Sequence, residues 1–127
     1  MKRIFISMVV ILVLSLAISI TSLLVMRHVA EEIEVMRIDV IQLVSAGDIK
    51  NADERITQMA EMWERHEPFL QIIAPHETLH EVTQLIIEAD ANLNAQDQDD
   101  FNRSMKLLGI AIEHLYVEEQ LRLENIL

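Results

Sequence analysis

With 127 residues and no cysteine, the chain can form neither a disulfide framework nor a thiolate zinc site. After a membrane segment at its start it retains enough length for one modest hydrophobic core. All 21 acidic residues but only 7 of the 10 Lys and Arg follow His28, a formal −14 for that part of the chain; such a surface repels phosphate backbones and excludes nucleic acid as a partner.

Ile4 to Met26 is a run of 23 residues without a charge, with Lys2 and Arg3 before it and Arg27 and His28 after it. As a helix rising about 1.5 Å per residue it spans about 34 Å, enough to cross a hydrocarbon core of about 30 Å. Residues 1–28 therefore read as a single-pass anchor, with the lipid bilayer as its partner, and residues 29–127 as an acidic helical domain. Anionic headgroups would repel that domain's overall charge, so attachment is expected through the helix. Lys2, Arg3 and the N-terminal amine outweigh Arg27 beside the far end. The bias places the N-terminus in the cytoplasm and the C-terminal domain outside the cell membrane. Ser15-Leu16-Ala17 carries the small residues a signal peptidase tolerates, but the apolar run continues for nine residues past Ala17; an uncleaved signal anchor is expected. Ser7, Ser15, Ser19, Thr21 and Ser22 are expected to bond to the preceding helical turn. A helix-association face through Ser15, Ser19 and Ser22 is the weaker reading.

Helical periodicity then runs on through Val29, Ile33, Met36, Val40 and Leu43, widened by Ile41 and Val44, so the anchor and the first domain helix are expected to form one rod. Gly47 suits a helix end and Asp48 a cap for the next helix. Ile49, Ala52, Ile56, Met59, Trp63, His66, Leu70 and Ile73 give a second stripe, within which Pro68 should kink the helix or divide it near Glu67. Pro75 marks a boundary, because proline suits a helix's first turn. Leu79, Val82, Leu85, Ile86, Ala89 and Leu93 form a third stripe. Asp97 or Asp99 is placed to cap a fourth, through Phe101, Met105, Leu108, Ile112 and Leu115, broadened by Leu107 and Ala111. Gly109 lies inside that helix, costing about 1 kcal/mol against Ala while allowing a neighbour to approach. Leu121, Leu123 and Ile126, in an irregular tail from Glu118 to Leu127, are expected to pack against an end of the bundle. No strand candidate emerges, so the expected fold class is all-α: an N-terminal transmembrane helix followed by an antiparallel bundle of about four helices.

His76-Glu77-Thr78-Leu79-His80 matches HExxH, in which two imidazoles on one helix face bind zinc and the glutamate polarises a water. Context argues against a zinc hydrolase: Pro75 puts the match at a helix start, and no HxxGxxH continuation follows His80. His66, Glu67, His76, Glu77, His80 and His114 are the candidate metal ligands, with Glu88 or Glu113 as further donors only if folding brings them near. As structural residues they have simpler roles. His66 would be half-buried on its stripe, Glu67 would brace its turn, Glu77 would meet unpaired amides at a helix start, and His114 would lie near a helix end. Trp63 is expected in the core. A ferritin-like dimetal centre is incomplete, since Glu77-x-x-His80 is a single ExxH element.

The element Trp63-Glu64-Arg65-His66-Glu67 resembles the W-x-x-HE feature of a family of small single-pass membrane proteins of Gram-positive bacteria, known as domain of unknown function 4363. The His-acidic pair His76-Glu77, the late His114, Glu118-Glu119 and Asn125-Ile126 are similar to further features of that family, and the resemblance covers nearly the whole chain. It implies an N-terminal membrane segment leading to a helical domain, and it brings no activity or cofactor. In the family the position of His80 is often not histidine, which makes His66, His76 and His114 the group to test together.

The leading expectation is a membrane-anchored, non-enzymatic helical domain that needs no cofactor and acts as an interaction or assembly module with a membrane or envelope protein. The alternative is a divalent-metal-binding domain, with zinc-dependent hydrolysis through His76-Glu77-x-x-His80 as its most distant form. Self-association is the third expectation, with surplus stripe width forming a seam between two copies.

Overall fold

The four apolar stripes become four helices: α1 (Lys2–Ser45), α2 (Ile49–Ile73), α3 (His76–Asn94) and α4 (Gln98–Ile126). The structure, a computed structural model, describes residues 1–126 and every side chain among them except those at 118–120, 122, 123, 125 and 126. Helix α1 runs for 44 residues without a break, because neither proline nor glycine interrupts the sequence between the anchor and Gly47. Inside the anchor the Ser7 and Ser19 hydroxyls donate to the carbonyls of Arg3 and Ser15, so these polar atoms are satisfied within the helix.

The first and third connections share one device. After α1 the amide of Gly47 donates to Val44 O (3.0 Å) and that of Asp48 to Leu43 O (2.9 Å), with Gly47 at φ 80°. After α3 the amide of Gln96 donates to Leu93 O (3.2 Å) and that of Asp97 to Asn92 O (3.0 Å), with Gln96 at φ 57°. Both are Schellman closures, in which a left-handed residue lets the chain satisfy carbonyls that the helix end would leave open. Each is followed at once by an aspartate cap: Asp48 accepts from the amide of Asn51 and Asp97 from that of Asp100. The second connection is Ala74 and Pro75, both extended.

These tight connections produce an antiparallel bundle in which α1 and α3 each pack against α2 and α4. Val29, Ile33, Ile56, Met59, Leu79, Val82, Phe101, Met105 and Leu108 lie in one continuous buried core. The packing on α1 begins inside the apolar run, at Ser22 and Met26. Trp63 is 2% exposed; its indole Nε1–H donates to Thr83 Oγ1 (2.8 Å), whose hydroxyl donates to Leu79 O. Ser104, also buried, accepts from Asn92 Nδ2 (3.1 Å). Among the described residues no buried side-chain polar atom lacks a partner.

Several sequence expectations change on folding. Pro68 does not divide α2, which continues to Ile73; the proline forgoes one backbone hydrogen bond, and the packed stripe on either side holds the helix together. Ile49 and Leu107, assigned to stripes, are exposed, because Ile49 stands at the first residue of α2 and Leu107 on the flank of α4. The tail is helical to Ile126, and Leu121 is exposed instead of packed. The side chains of Leu123 and Ile126 lie outside the described residues, as do those of Glu118, Glu119 and Asn125.

Candidate functional site

Three places in the bundle gather chemistry, and the first is the junction between α1's free stretch and the bundle. Among the described residues α1 is the one helix long and apolar enough to cross a membrane, which supports a single-pass topology. Its large apolar side chains from Ile4 to Ile20 stand exposed, while Ser22, Met26, Val29 and Ala30 are buried against the other helices. One uninterrupted helix therefore passes from an unpacked apolar shaft into the bundle. Arg27 Nε pairs with Glu31 (3.1 Å) and His28 Nε2 lies 3.5 Å from Glu32, one turn further along.

The second place is the α2–α3 corner, which holds the HETLH sequence. Glu67, Gln71, His76, Glu77, Leu79 and His80 line one shallow depression of about 420 Å³. His76, Glu77 and His80 are exposed on the first turns of α3, and His66 is half-buried on α2. His114 is exposed on α4 and lies in the interior of that helix, not near its end as expected, because α4 continues to Ile126. Glu67 therefore shares the depression with His76, Glu77 and His80, while His66 and His114 do not line it. Among the described residues no group of three or more His, Asp or Glu is placed to hold a metal ion. Glu77 lies in the first turn of α3, where a carboxylate meets the positive end of the helix dipole. The metal-binding reading gains no support from this arrangement.

The third place joins α1 to α4. Arg37 donates from Nε and Nη2 to the two carboxylate oxygens of Glu34 (2.8 and 2.5 Å) and from Nη1 to Met105 O (3.0 Å). The forked pair with Glu34 holds the guanidinium above its ordinary pKa, against a smaller opposing effect of burial. Gly109 makes room for it: a Cβ there would lie 2.8 Å from Arg37 Cζ. Gly109 was legible in the sequence as a point of close approach, but which neighbour approaches was not, since Arg37 is far away along the chain. On the α2–α3 side, Asp90 is held above the usual carboxylate range, first by burial and then by the nearby charge of Asp53.

A family model described as a domain of unknown function matches residues 20–126, which takes in the end of the apolar run and all of the bundle. No curated protein and no solved structure matches the chain.

Proposed function

Since the chain belongs to the family described as domain of unknown function 4363, a description that assigns no activity, we propose from its own architecture a membrane-anchored, non-enzymatic helical module that helps to assemble or regulate a membrane or envelope complex. The observation that carries this reading is the continuity of α1 from an exposed apolar shaft into the buried core. Anchor and domain are one rigid element, so the domain is held at the bilayer, within reach of proteins embedded there. The charge bias around the shaft favours a cytoplasmic N-terminus and an extracytoplasmic bundle. The partner is a membrane or envelope protein, with a second copy of this chain as the other candidate.

Crosslinking in membrane fractions tests the assembly role. The full chain should capture proteins that a variant containing the anchor alone does not; identical profiles would remove the proposed role of the bundle. Topology is read separately and cleanly, because the chain has no cysteine of its own. In intact cells Asn51→Cys, exposed near the far end of the bundle, should react with a membrane-impermeant maleimide. Labelling only after lysis would reverse the orientation.

A further inference from the structure

We propose that the membrane-proximal end of the bundle is itself a lipid-contacting surface, in which Phe69 and Ile72 of α2 and Leu121 of α4 seat in the bilayer interface beside α1. The proposal rests on the reading of α1 as a membrane span and adds a second attachment to it.

The helix register carries the argument. Arg55 of α2 pairs with Asp39 of α1 at 2.8 Å; because the two helices are antiparallel and rise equally per residue, Ile72 comes level with Ser22, and Phe69 with Val25. On the other side Arg37 of α1 bonds Met105 of α4, which brings Leu121 level with Thr21. Ser22 is also the first buried residue of α1. The uncharged part of the shaft below Ser22, Ile4 to Thr21, is then about 27 Å long, slightly less than a hydrocarbon core of about 30 Å. No spacer remains between bilayer and bundle, so side chains level with residues 21 to 25 of α1 meet the lipid boundary.

The side chains exposed there suit that boundary. Ile72 is 81% exposed, Leu121 52% and Phe69 40%, beside Leu24 of α1 at 59%. The opposite end has a different chemistry: its two Schellman turns and the residues beside them are Gly47, Asp48, Lys50 and Asn51 on one side and Asn94, Gln96, Asp97, Gln98 and Asp99 on the other, with Ile49 as the one large exposed apolar side chain there. An apolar end next to the shaft and a polar end away from it is the asymmetry expected of a body seated on a membrane. Gln71, His76 and Glu77 are exposed near the same level, and Glu124 about one turn deeper on α4; these polar groups hold the rim at the headgroup region, Glu124 through a side chain long enough to reach back towards it, and keep the rim out of the hydrocarbon centre. The acidic flanks still repel anionic headgroups, so the seat is apolar contact with zwitterionic lipid.

The test uses the full chain in phosphatidylcholine vesicles, with spin labels on single cysteines at exposed positions: Leu12→Cys in the shaft, Phe69→Cys and Ile72→Cys at the rim, and Ile49→Cys at the far end. The readout is collision with oxygen, which concentrates in lipid, relative to a water-soluble nickel chelate. The oxygen-to-nickel ratio at Phe69→Cys and Ile72→Cys should be several-fold above that at Ile49→Cys and below that at Leu12→Cys. A lipid-like ratio at Leu12→Cys with rim ratios equal to Ile49→Cys would overturn the seat and leave the anchor standing. A water-like ratio at Leu12→Cys would overturn both.

Discussion

Gly109 of α4 lies directly over the guanidinium of Arg37 of α1, so close that a methyl group on it would come within 2.8 Å of Cζ. Arg37 is pinned there by Glu34 and by Met105 O, so it cannot swing aside without giving up charge-assisted bonds. Alanine is the better helix former by about 1 kcal/mol, yet Gly109→Ala should lower stability while Arg37 is present. In an Arg37→Ala background the same change should raise stability by about 1 kcal/mol. Denaturant unfolding of the four variants of this cycle checks the coupling, and additive effects would show that the contact carries no energy.

The two Schellman turns make opposite predictions. Gly47 occupies its left-handed position freely, so Gly47→Ala should cost about 1 kcal/mol. Gln96 occupies the equivalent position at φ 57° with a side chain attached. Gln96→Gly should therefore stabilise the fold by about 0.5 to 1 kcal/mol, the relief of strain exceeding the extra freedom glycine gives the unfolded chain. Thermal unfolding of the two variants in detergent should move in opposite directions.

Trp63 tests the buried polar contact between α2 and α3. Thr83→Val removes the acceptor of the indole N–H while filling nearly the same volume, and should cost about 1 to 3 kcal/mol by leaving a buried donor unpaired. Thr83→Ser should restore most of it. The fluorescence of Trp63, the sole tryptophan, reports both unfolding curves.

Asp90 gives a pH dependence with a definite sign. Burial, then the charge of Asp53, raises its folded pKa above the ordinary value, against a smaller opposing effect of Asn94. The folded state thus binds this proton more tightly than the unfolded chain does. The stability gained is fully present below the unfolded pKa and is lost as pH rises through the raised folded value. At neutral pH the charged carboxylate is a net cost, so Asp90→Asn should unfold at a higher temperature than the parent. That advantage should shrink as pH falls into the carboxylate range; an advantage independent of pH would assign it to something other than the charge.

The helices were legible because their signals are local and agree. Asp48 and Asp97 cap the helices that follow them, and the stripes of α3 and α4 are buried at Leu79, Val82, Ile86, Phe101, Met105 and Leu108. Half-burial of His66 and full burial of Trp63 also followed from their places on one stripe. What escaped depends on register between helices. The stripe ran from Ile49 to Ile73, the bounds of α2, but nothing in it showed that α2 carries Phe69 and Ile72 to the level of Ser22. Those two side chains are out of phase with the buried stripe, and no periodicity within one helix says what stands opposite them. The HETLH match shows the converse: a local spacing can be present while no third ligand from the rest of the described fold comes to meet it.

The unbroken course of α1 gives the molecule a mechanical property. With no hinge between Lys2 and Ser45, the angle at which the shaft leans in the lipid is passed whole to the bundle. From Ser22 to Ser45 is about 35 Å, so a lean of about 20° carries the distal turns sideways by about 12 Å. A thinner or thicker bilayer would thereby be converted into a change in where Gly47 and Gln96 point.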